Sequence, residues 1–262
     1  MNASSEKDTG RVVVLEGVIG VGKSTLSRSL LHWATPVFGA GARVVVILEN
    51  IDATLLQNFL NDQASMAFGF QMYAACARLE TMRQAEELAR QGNIVLVDRG
   101  LLGDATFARM HKENNNISQA QWQSYCSIIY RAYPQFAEAL RGQFPTERTA
   151  AAAGGHARAQ RLLANYARPQ DGVVVPIDVV YMQAPPNVAF ERMKTRSIQA
   201  EVDGYTLAYF EHLGSLHDAM LRAYGATIEL DFSAPLRVDE ATGLLSQEDT
   251  VAFWQRISAN RS

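Results

Sequence analysis

The sequence lacks several features of secreted, membrane and nucleic-acid-binding proteins. It has only two cysteines, Cys76 and Cys126, at no spacing typical of a metal site or a redox motif, so we expect reduced thiols rather than a disulfide. No apolar run reaches the roughly 18 residues that a membrane-spanning helix needs. The formal net charge of −3 excludes a general electrostatic attraction to nucleic acid or to an anionic membrane.

The N-terminus also lacks targeting features. Residues 1–10 are polar, with neither an apolar segment nor an arginine-rich amphipathic pattern, so we predict a disordered lead-in and a cytoplasmic location. The chain is 48% hydrophobic and 19% charged, which suits a globular protein with a large core. Its length of 262 residues is within the range of one α/β domain, and we predict a single domain over residues 11–262.

Strand and helix patterns alternate along the chain. Short β-branched runs predict buried strands at 11–16, 43–48, 94–98, 177–183 and 227–231. Helical patterns cover residues 23–33, 55–61, 68–90, 118–140, 205–224 and 247–259. This alternation predicts an α/β fold with a five-stranded parallel sheet and helices on both faces. Residues 146–172 interrupt the alternation, and we interpret them as a surface insertion.

The first predicted strand runs directly into a glycine-rich turn with the sequence GVIGVGKS, at residues 17–24. This matches the P-loop motif in its required position between a strand and a helix, and a turn that binds nothing is the disfavoured alternative. Glycines let backbone N–H groups approach phosphate oxygens, and the next helix adds its positive dipole end. Lys23 would reach the β- and γ-phosphates of ATP, and Ser24 would hold Mg²⁺. The predicted ATP-binding residues are Gly17, Gly20, Val21, Gly22, Lys23, Ser24 and Thr25.

Because hydrolases, motors and kinases share the P-loop, the phosphate acceptor must be inferred from other residues. Glu49 follows the second strand, where a base could orient an attacking hydroxyl, although a helix cap or a solvated carboxylate is an alternative. Asp98 and Arg99 end the third strand. There the acid could bind the Mg²⁺ shell and the arginine could neutralise the transferred phosphoryl group, with a structural ion pair as the alternative.

Three cations, Arg192, Lys194 and Arg196, follow the fourth strand on a helical stretch. Such a cluster is often a solvated face, but in P-loop kinases a mobile lid closes over the phosphates at this point. We therefore predict a lid over about residues 192–203, with all three cations on ATP. The predicted catalytic residues are Glu49, Arg99, Lys23 and Arg192.

In their order and spacing, these pieces resemble the deoxynucleoside kinase family over about residues 11–221. The resemblance rests on Leu15-Glu16-Gly17 with the P-loop, Glu49, Phe70-Gln71-Met72-Tyr73, Asp98-Arg99 with Gly103-Asp104, YMQAPPNVAFERM at 181–193, and Tyr209-Phe210 with Leu213, His217 and Asp218. It implies a P-loop kinase fold with a helical lid. It also implies an ATP- and Mg²⁺-dependent homodimeric enzyme that phosphorylates the 5′-hydroxyl of a deoxynucleoside.

The resemblance also implies residue roles. Glu49 would be the base for the 5′-hydroxyl, Gln71 would pair with the nucleobase edge, and Glu201 would bind the sugar 3′-hydroxyl. The implied metal residues are Ser24 and Asp98. The implied substrate-binding residues are Glu49, Leu60, Phe70, Gln71, Arg78, Arg99, Asp104 and Glu201. Arg78 and Asp104 match positions that carry arginine and aspartate in members accepting deoxycytidine or deoxypurines, and we expect one of those substrates.

The chain also departs from the family pattern. Asp98 and Gly100 replace the glutamate and serine of the ERS motif, Leu60 stands where a tyrosine often binds the 3′-hydroxyl, and Ile198 replaces a lid arginine. Two alternatives remain. A thymidylate-type monophosphate kinase would need arginines facing its acceptor phosphate, where this chain has Glu49. A catalytically inactive nucleotide-binding regulator would account for the departures as lost chemistry.

Overall fold

The computed structural model describes residues 10–136, 139–140, 174–196, 199–225 and 227–259. The predicted lead-in up to residue 9, the predicted insertion at 146–172 and Ile198 lie outside these residues. The strands are β1 (Arg11–Glu16), β2 (Val44–Ile47), β3 (Ile94–Asp98), β4 (Ile177–Gln183) and β5 (Thr227–Asp231). They form a parallel sheet in the order β2-β3-β1-β4-β5.

Helices connect the strands and cover the sheet. They are α1 (Lys23–His32), α2 (Ala34–Phe38), α3 (Ala53–Asn61), α4 (Gln63–Arg90), α5 (Leu101–Glu113), α6 (Gln119–Ala132), α7 (Pro186–Arg196), α8 (Gln199–Gly204), α9 (Leu207–Tyr224) and α10 (Gln247–Ala259). A short 3₁₀ turn, Pro134–Phe136, follows α6. Among the described residues, no helix combines the length and the apolar character needed to cross a bilayer.

The central strand β1 contributes to a separate hydrophobic core on each face of the sheet. Val12 and Val14 pack with residues of α4, α5 and α6, whereas Val13 and Leu15 pack with residues of α1, α7 and α10. This division follows from the alternation of side chains along a strand. The predicted α/β fold, with helices on both faces of a parallel sheet, is therefore confirmed.

The strand register brings the functional sequence pieces to one edge of the sheet. Leu15 of β1 pairs with Asp98 of β3, and Glu16 pairs with Tyr181 of β4. Strands β1 and β3 therefore end at nearly the same level, and β4 continues two residues further, to Gln183. In a parallel sheet this edge is where loops from neighbouring strands meet, so the P-loop lies beside the turn that follows β3.

Several predicted boundaries differ from the observed ones for identifiable reasons. Strand β2 is shorter than predicted and only half-buried, because it is an edge strand with one neighbour. The helix predicted to reach residue 140 ends at Ala132, since Pro134 disfavours helical backbone at the residue before it. Helix α4 begins five residues before its predicted start, where the Asp62 side chain accepts from the Ser65 N–H at 3.2 Å. The hydrophobic patterns also predict no helix at Leu101–Glu113, where the structure has α5.

Candidate active site

The P-loop connects β1 to α1 and packs closely against neighbouring backbone. A Cβ at Gly17 would lie 2.5 Å from the carbonyl oxygen of Met182, and a Cβ at Gly20 would lie 2.2 Å from that of Ala189. Both glycines also have positive φ, at 144° and 76°. Any larger residue would therefore push the loop away from β4 and α7.

Lys23 lies inside the loop, with its side chain almost fully buried. Its Nζ donates to the carbonyl oxygens of Gly17 at 3.1 Å and Val18 at 2.9 Å. Burial lowers the pKa of Lys23 to about 8, and the nearby Arg99 guanidinium acts in the same direction. The ammonium is therefore still mainly charged at pH 7, in a loop suited to binding anions.

Ser24 and Asp98 meet where α1 begins and β3 ends. The Ser24 hydroxyl donates to Asp98 Oδ2 at 2.5 Å. The other carboxylate oxygen, Oδ1, is buried and has no hydrogen-bond partner among the described residues. The two predicted metal residues are thus adjacent. Three other residues of this region were predicted to bind ATP. Val21 and Gly22 lie in the loop, and Thr25 lies in the first turn of α1.

The turn between β3 and α5 carries Arg99 in a left-handed backbone conformation, with φ of 71°. The buried carboxylate of Glu16 holds this turn, because its Oε1 accepts from the N–H groups of Gly100 at 3.2 Å and Gly103 at 3.0 Å. Burial raises the pKa of Glu16, and the Gly103 hydrogen bond opposes the rise. Arg99 Nη1 in turn donates to the Gly17 carbonyl oxygen at 3.2 Å, which ties this turn to the P-loop.

Glu49 lies between two arginines. It accepts from an Nη of Arg78, and Arg99 Nε lies 3.3 Å from its Oε1. Both arginine side chains are almost fully buried, while that of Glu49 is 34% exposed. Burial alone would raise the pKa of Glu49, but Arg99 and then Arg78 outweigh it and lower the pKa to about 2. Glu49 is therefore an ionised carboxylate at neutral pH.

A cavity opens beside this cluster, between α3, α4, α5 and the segment that joins α8 to α9. Its polar lining residues are Glu49, Gln71, Arg78, Arg99, Asp104 and Tyr205. Its apolar lining includes Ile19, Leu56, Phe59, Phe70 and Phe107. The Phe59 and Phe70 rings stack with centroids 4.3 Å apart. A cavity with aromatic walls and a few converging polar groups suits a flat polar ligand.

Three buried polar side chains face one another at this cavity. Gln71, Arg78 and Asp104 are each no more than 3% exposed. The Gln71 Oε1 and the Arg78 Nε have no hydrogen-bond partner among the described residues. Burial raises the pKa of Asp104 to about 6, although Arg78 opposes the rise. Unpaired buried polar atoms are costly, so these groups are suited to pairing with a ligand.

Two predicted substrate residues are not in the cavity lining. Leu60 packs against α8, where a Cβ on Gly204 would lie 3.0 Å from its Cδ2. Glu201 pairs with Arg196 instead. Tyr205, which the sequence did not single out, lines the cavity and lies one turn of chain beyond Glu201. Side chains that reach the cavity from separate elements have no short-range sequence signal.

The predicted lid cations have different surroundings. Arg192 Nη1 donates to the carbonyl oxygens of Phe232 at 2.9 Å and Val21 at 3.3 Å, which places it against the P-loop. Lys194 pairs with Glu191 on the surface of α7 at 3.0 Å. Arg192 therefore contacts the P-loop directly, while Lys194 and Arg196 pair with the carboxylates of Glu191 and Glu201.

Comparisons with known proteins match this chain to enzymes that bind ATP and a deoxynucleoside, as the P-loop, Glu49 and the polar cavity suggest. The sequence profile of deoxynucleoside kinases matches residues 13–141. A curated deoxyadenosine kinase of Dictyostelium discoideum is 22% identical over 262 aligned positions, which cover 98% of this chain and 87% of the relative. This chain is therefore similar to the deoxynucleoside kinase family, over a match that covers just under half of its length. The resemblance inferred from the sequence is thus confirmed.

Further relatives agree with this assignment. A deoxyadenosine/deoxycytidine kinase of Bacillus subtilis is 26% identical over 123 positions, covering 45% of this chain and 50% of the relative. Among solved structures, deoxyadenosine kinase from M. mycoides with bound dATP aligns with a TM-score of 0.61 at 16% identity, covering 95% of this chain and 99% of that one. The same kinase with dCMP and dCDP aligns with a TM-score of 0.60 at 18% identity, covering 95% and 98%.

The likeness to named deoxynucleoside kinases defines the type of reaction. Enzymes of this family use ATP to phosphorylate a hydroxyl group of a deoxynucleoside, so this chain is a phosphotransferase with an alcohol acceptor. The solved structures, at these low identities, show a shared fold and no more. The substrate base and the roles of individual residues must be argued from the site itself.

Proposed function

We propose that this deoxynucleoside kinase phosphorylates the 5′-hydroxyl of deoxyadenosine or deoxycytidine. The observation that carries this proposal is the cavity beside the P-loop, where the carboxylate of Glu49 adjoins the buried Gln71, Arg78 and Asp104. Two relatives are named as kinases of these nucleosides, which supports the same choice.

The buried polar groups favour a base with an exocyclic amino group. Adenine and cytosine each present an amino donor beside a ring-nitrogen acceptor. The Gln71 amide offers a matching acceptor and donor, and its Oε1 has no partner among the described residues. The Asp104 carboxylate adds an acceptor, and Arg78 adds donors. The Phe59 and Phe70 rings, in stacking contact with each other, would form the wall against the base.

The acceptor hydroxyl would lie at Glu49. A carboxylate with a pKa of about 2 is a weak base, so in this proposal Glu49 first orients the hydroxyl and receives its proton late. Arg99 would stabilise negative charge on the transferred phosphoryl group, since its guanidinium joins Glu49 to the P-loop carbonyl of Gly17. Lys23 would bind the β- and γ-phosphates once they replace its loop carbonyls.

Ser24 and Asp98 fit a magnesium site. Their oxygens are 2.5 Å apart, and Asp98 Oδ1 is a buried acceptor without a partner among the described residues. Ser24 would bind Mg²⁺ directly and Asp98 directly or through a water molecule. The ion would neutralise charge on the β- and γ-phosphate oxygens. Hydroxyl and carboxylate oxygens are ligands of the kind that this ion prefers.

Residues that follow β4 would close over the phosphates and contact the sugar. We assign Arg192, Lys194 and Arg196 to a lid over about residues 192–203, with Arg192 as the lid cation that contacts the P-loop. Glu201 lies on α8 beside the cavity residue Tyr205, and its backbone oxygen accepts from the Tyr205 N–H at 3.1 Å. A movement of α8 would bring Glu201 to the 3′-hydroxyl.

The test is a substrate panel with ATP and Mg²⁺, followed by ADP release. We expect turnover with deoxyadenosine and deoxycytidine, lower turnover with thymidine, and none with deoxynucleoside monophosphates. The Lys23→Ala variant should lose activity and so show that the ADP comes from this P-loop. Turnover with monophosphates alone would favour a monophosphate kinase. No turnover with any acceptor would favour an inactive regulator.

We also propose that the enzyme is a cytoplasmic homodimer that associates through α4 and α6. The two helices pack on the same face of the sheet, and Tyr130 of α6 is 41% exposed there. Sedimentation velocity should then show one species of twice the 28.9 kDa chain mass. A species of the single-chain mass across the micromolar range would contradict the dimer.

A further inference from the structure

Three helices bring three polar side chains together at one wall of the cavity. Arg78 comes from the middle of α4, Asp104 from the first turn of α5, and Tyr125 from α6. The Tyr125 hydroxyl donates to Asp104 Oδ2 at 2.5 Å. Tyr125 is 1% exposed and does not line the cavity, whereas Asp104 does. Tyr125 therefore acts on any ligand only through Asp104.

The position of the Tyr125 hydroxyl is itself well constrained. Its ring stacks on Trp122, one turn earlier on α6, with centroids 5.7 Å apart and planes 10° apart. Helix α6 begins at a capping box, in which Ser118 and Gln121 bind each other's backbone N–H groups. A tyrosine ring that is packed in this way can hold a partner carboxylate in one orientation.

A hydrogen bond to one oxygen of a carboxylate orients the group and leaves the other oxygen with both of its lone pairs. With Oδ2 occupied by Tyr125, Oδ1 is the oxygen available to a bound base. An ionised carboxylate only accepts hydrogen bonds, so it suits the amino group of adenine or cytosine. A carbonyl at the same position of the base, as in hypoxanthine or uracil, would face a second acceptor. Such a mismatch leaves polar groups unpaired in a buried site.

We propose that Tyr125 is a positioning residue that sets the preference for amino-bearing over oxo-bearing nucleobases, by holding Asp104 as an oriented acceptor. This inference rests on the proposed function and names a determinant of its specificity. Without the hydroxyl, Asp104 is free to rotate and more readily protonated, and a protonated carboxyl can donate to a carbonyl.

The groups around Asp104 make its protonation state sensitive to Tyr125. Arg78 of α4, Arg99 of the turn after β3 and Glu49 after β2 face it along with Tyr125 of α6. Burial raises the pKa of Asp104 to about 6, while Arg78 and then the Tyr125 hydrogen bond lower it. Removal of the hydroxyl should therefore raise this pKa further, toward neutral pH.

The experiment compares two substrates that differ in one group. Deoxyadenosine carries an amino group where deoxyinosine carries a carbonyl, so the ratio of their kcat/KM values reports discrimination at that group. The Tyr125→Phe variant should lower this ratio by about tenfold, the size expected from one charge-assisted hydrogen bond. The acid limb of the deoxyadenosine kcat/KM profile should also move to higher pH.

A matched control is available in the same chain. The Tyr181 hydroxyl donates to Asp218 Oδ1, also at 2.5 Å, and Tyr181 is 4% exposed in β4 and outside the cavity lining. Tyr181→Phe removes a tyrosine–aspartate hydrogen bond of the same length, partly buried and outside the cavity, so it should leave the ratio and the acid limb unchanged. A merely structural role of Tyr125 would give the two variants the same profile.

The outcomes separate this inference from the proposed function. An active Tyr125→Phe enzyme with an unchanged ratio, or an equal drop in Tyr181→Phe, would overturn the role of Tyr125. If no deoxynucleoside is phosphorylated by the parent enzyme, the proposed function fails, and equilibrium dissociation constants for deoxyadenosine and deoxyinosine then replace kcat/KM. A lower affinity ratio in Tyr125→Phe would still support the inference. Equal ratios, or no binding of either nucleoside, would overturn it.

Discussion

At the scale of single residues, charge decides how Glu49 can act. Its two arginine partners keep it ionised, and they also donate hydrogen bonds to both of its oxygens. Arg78 belongs to the base-binding group in the proposed function, so a bound base would draw it away from Glu49. That loss would raise the basicity of Glu49 when the hydroxyl arrives.

The first prediction concerns Glu49→Gln. The amide keeps the shape and can still accept a hydrogen bond, but it cannot take a proton from the hydroxyl. We expect kcat to fall by about 10²- to 10³-fold, with the dissociation constant for deoxyadenosine changed by less than about threefold. Steady-state kinetics and calorimetry measure the two quantities. Glu80→Gln, at an exposed glutamate paired with Arg83, is the control and should leave both quantities unchanged. An unaltered kcat in Glu49→Gln would refute the role.

At the scale of elements, the turn between β3 and α5 explains a departure from the family pattern. A Cβ at position 100 would lie 2.5 Å from Val14 Cγ1 and 3.0 Å from Glu16 Oε1. The serine of the family motif therefore does not fit this backbone, and glycine does. The same turn holds Arg99 at positive φ, which costs about 1 kcal/mol or more for a non-glycine residue. The buried Glu16 offsets that cost by binding the turn's N–H groups.

The second prediction concerns Gly103 in the first turn of α5. A Cβ there would lie 2.2 Å from Glu16 Oε2, a buried carboxylate with little room to move. Gly103→Ala should lower the free energy of unfolding by about 2 kcal/mol or more and should reduce kcat, because Arg99 shares the turn. Urea unfolding and steady-state kinetics measure these effects.

Gly69, in the second turn of α4, is the matched glycine for that experiment. A Cβ there meets no atom within 4 Å, so Gly69→Ala should stabilise the protein by about 0.5 to 1 kcal/mol through helix propensity alone. If both alanine variants behaved alike, the close contact with Glu16 would not be the reason for glycine at position 103.

At the scale of the whole molecule, two buried titratable groups make the free energy of unfolding depend on pH in opposite directions. His217 is fully buried, and burial lowers its pKa to about 3. Its contribution to stability is present above its unfolded pKa of 6.5 and is lost as the pH falls through that value toward 3. Asp104 has the opposite sign. Its pKa rises from 3.8 to about 6, so its contribution is present below 3.8 and is lost as the pH rises through 6.

The third prediction follows from these signs. Between pH 7 and pH 5, His217→Gln should show a loss of stability smaller than that of the parent protein, by about 1 to 2 kcal/mol. Asp104→Asn should show a larger loss than the parent, by about 1 kcal/mol, because the parent regains stability as Asp104 protonates. Urea unfolding at both pH values measures the differences. Shifts of both variants in the same direction would contradict the assigned signs.

The fold and much of the site were accessible from sequence because their signals are local. The β-branched runs, the P-loop motif and the residues at strand ends, such as Glu49 and Asp98, depend on spacing within short segments. A parallel sheet then requires those strand ends to share one edge. Helix ends were less accessible where a cap or a proline decides them, as at Asp62 and Pro134.

The sequence by itself determined the fold class, the family and the identity of the P-loop. Only the tertiary structure decided which distant side chains meet there. Glu16 fixes the turn that carries Arg99, and Tyr125 reaches Asp104 from another helix. Leu60 is turned toward α8 and Tyr205 toward the cavity. Contacts between residues far apart in sequence depend on how helices pack, and packing has no short-range pattern in the chain.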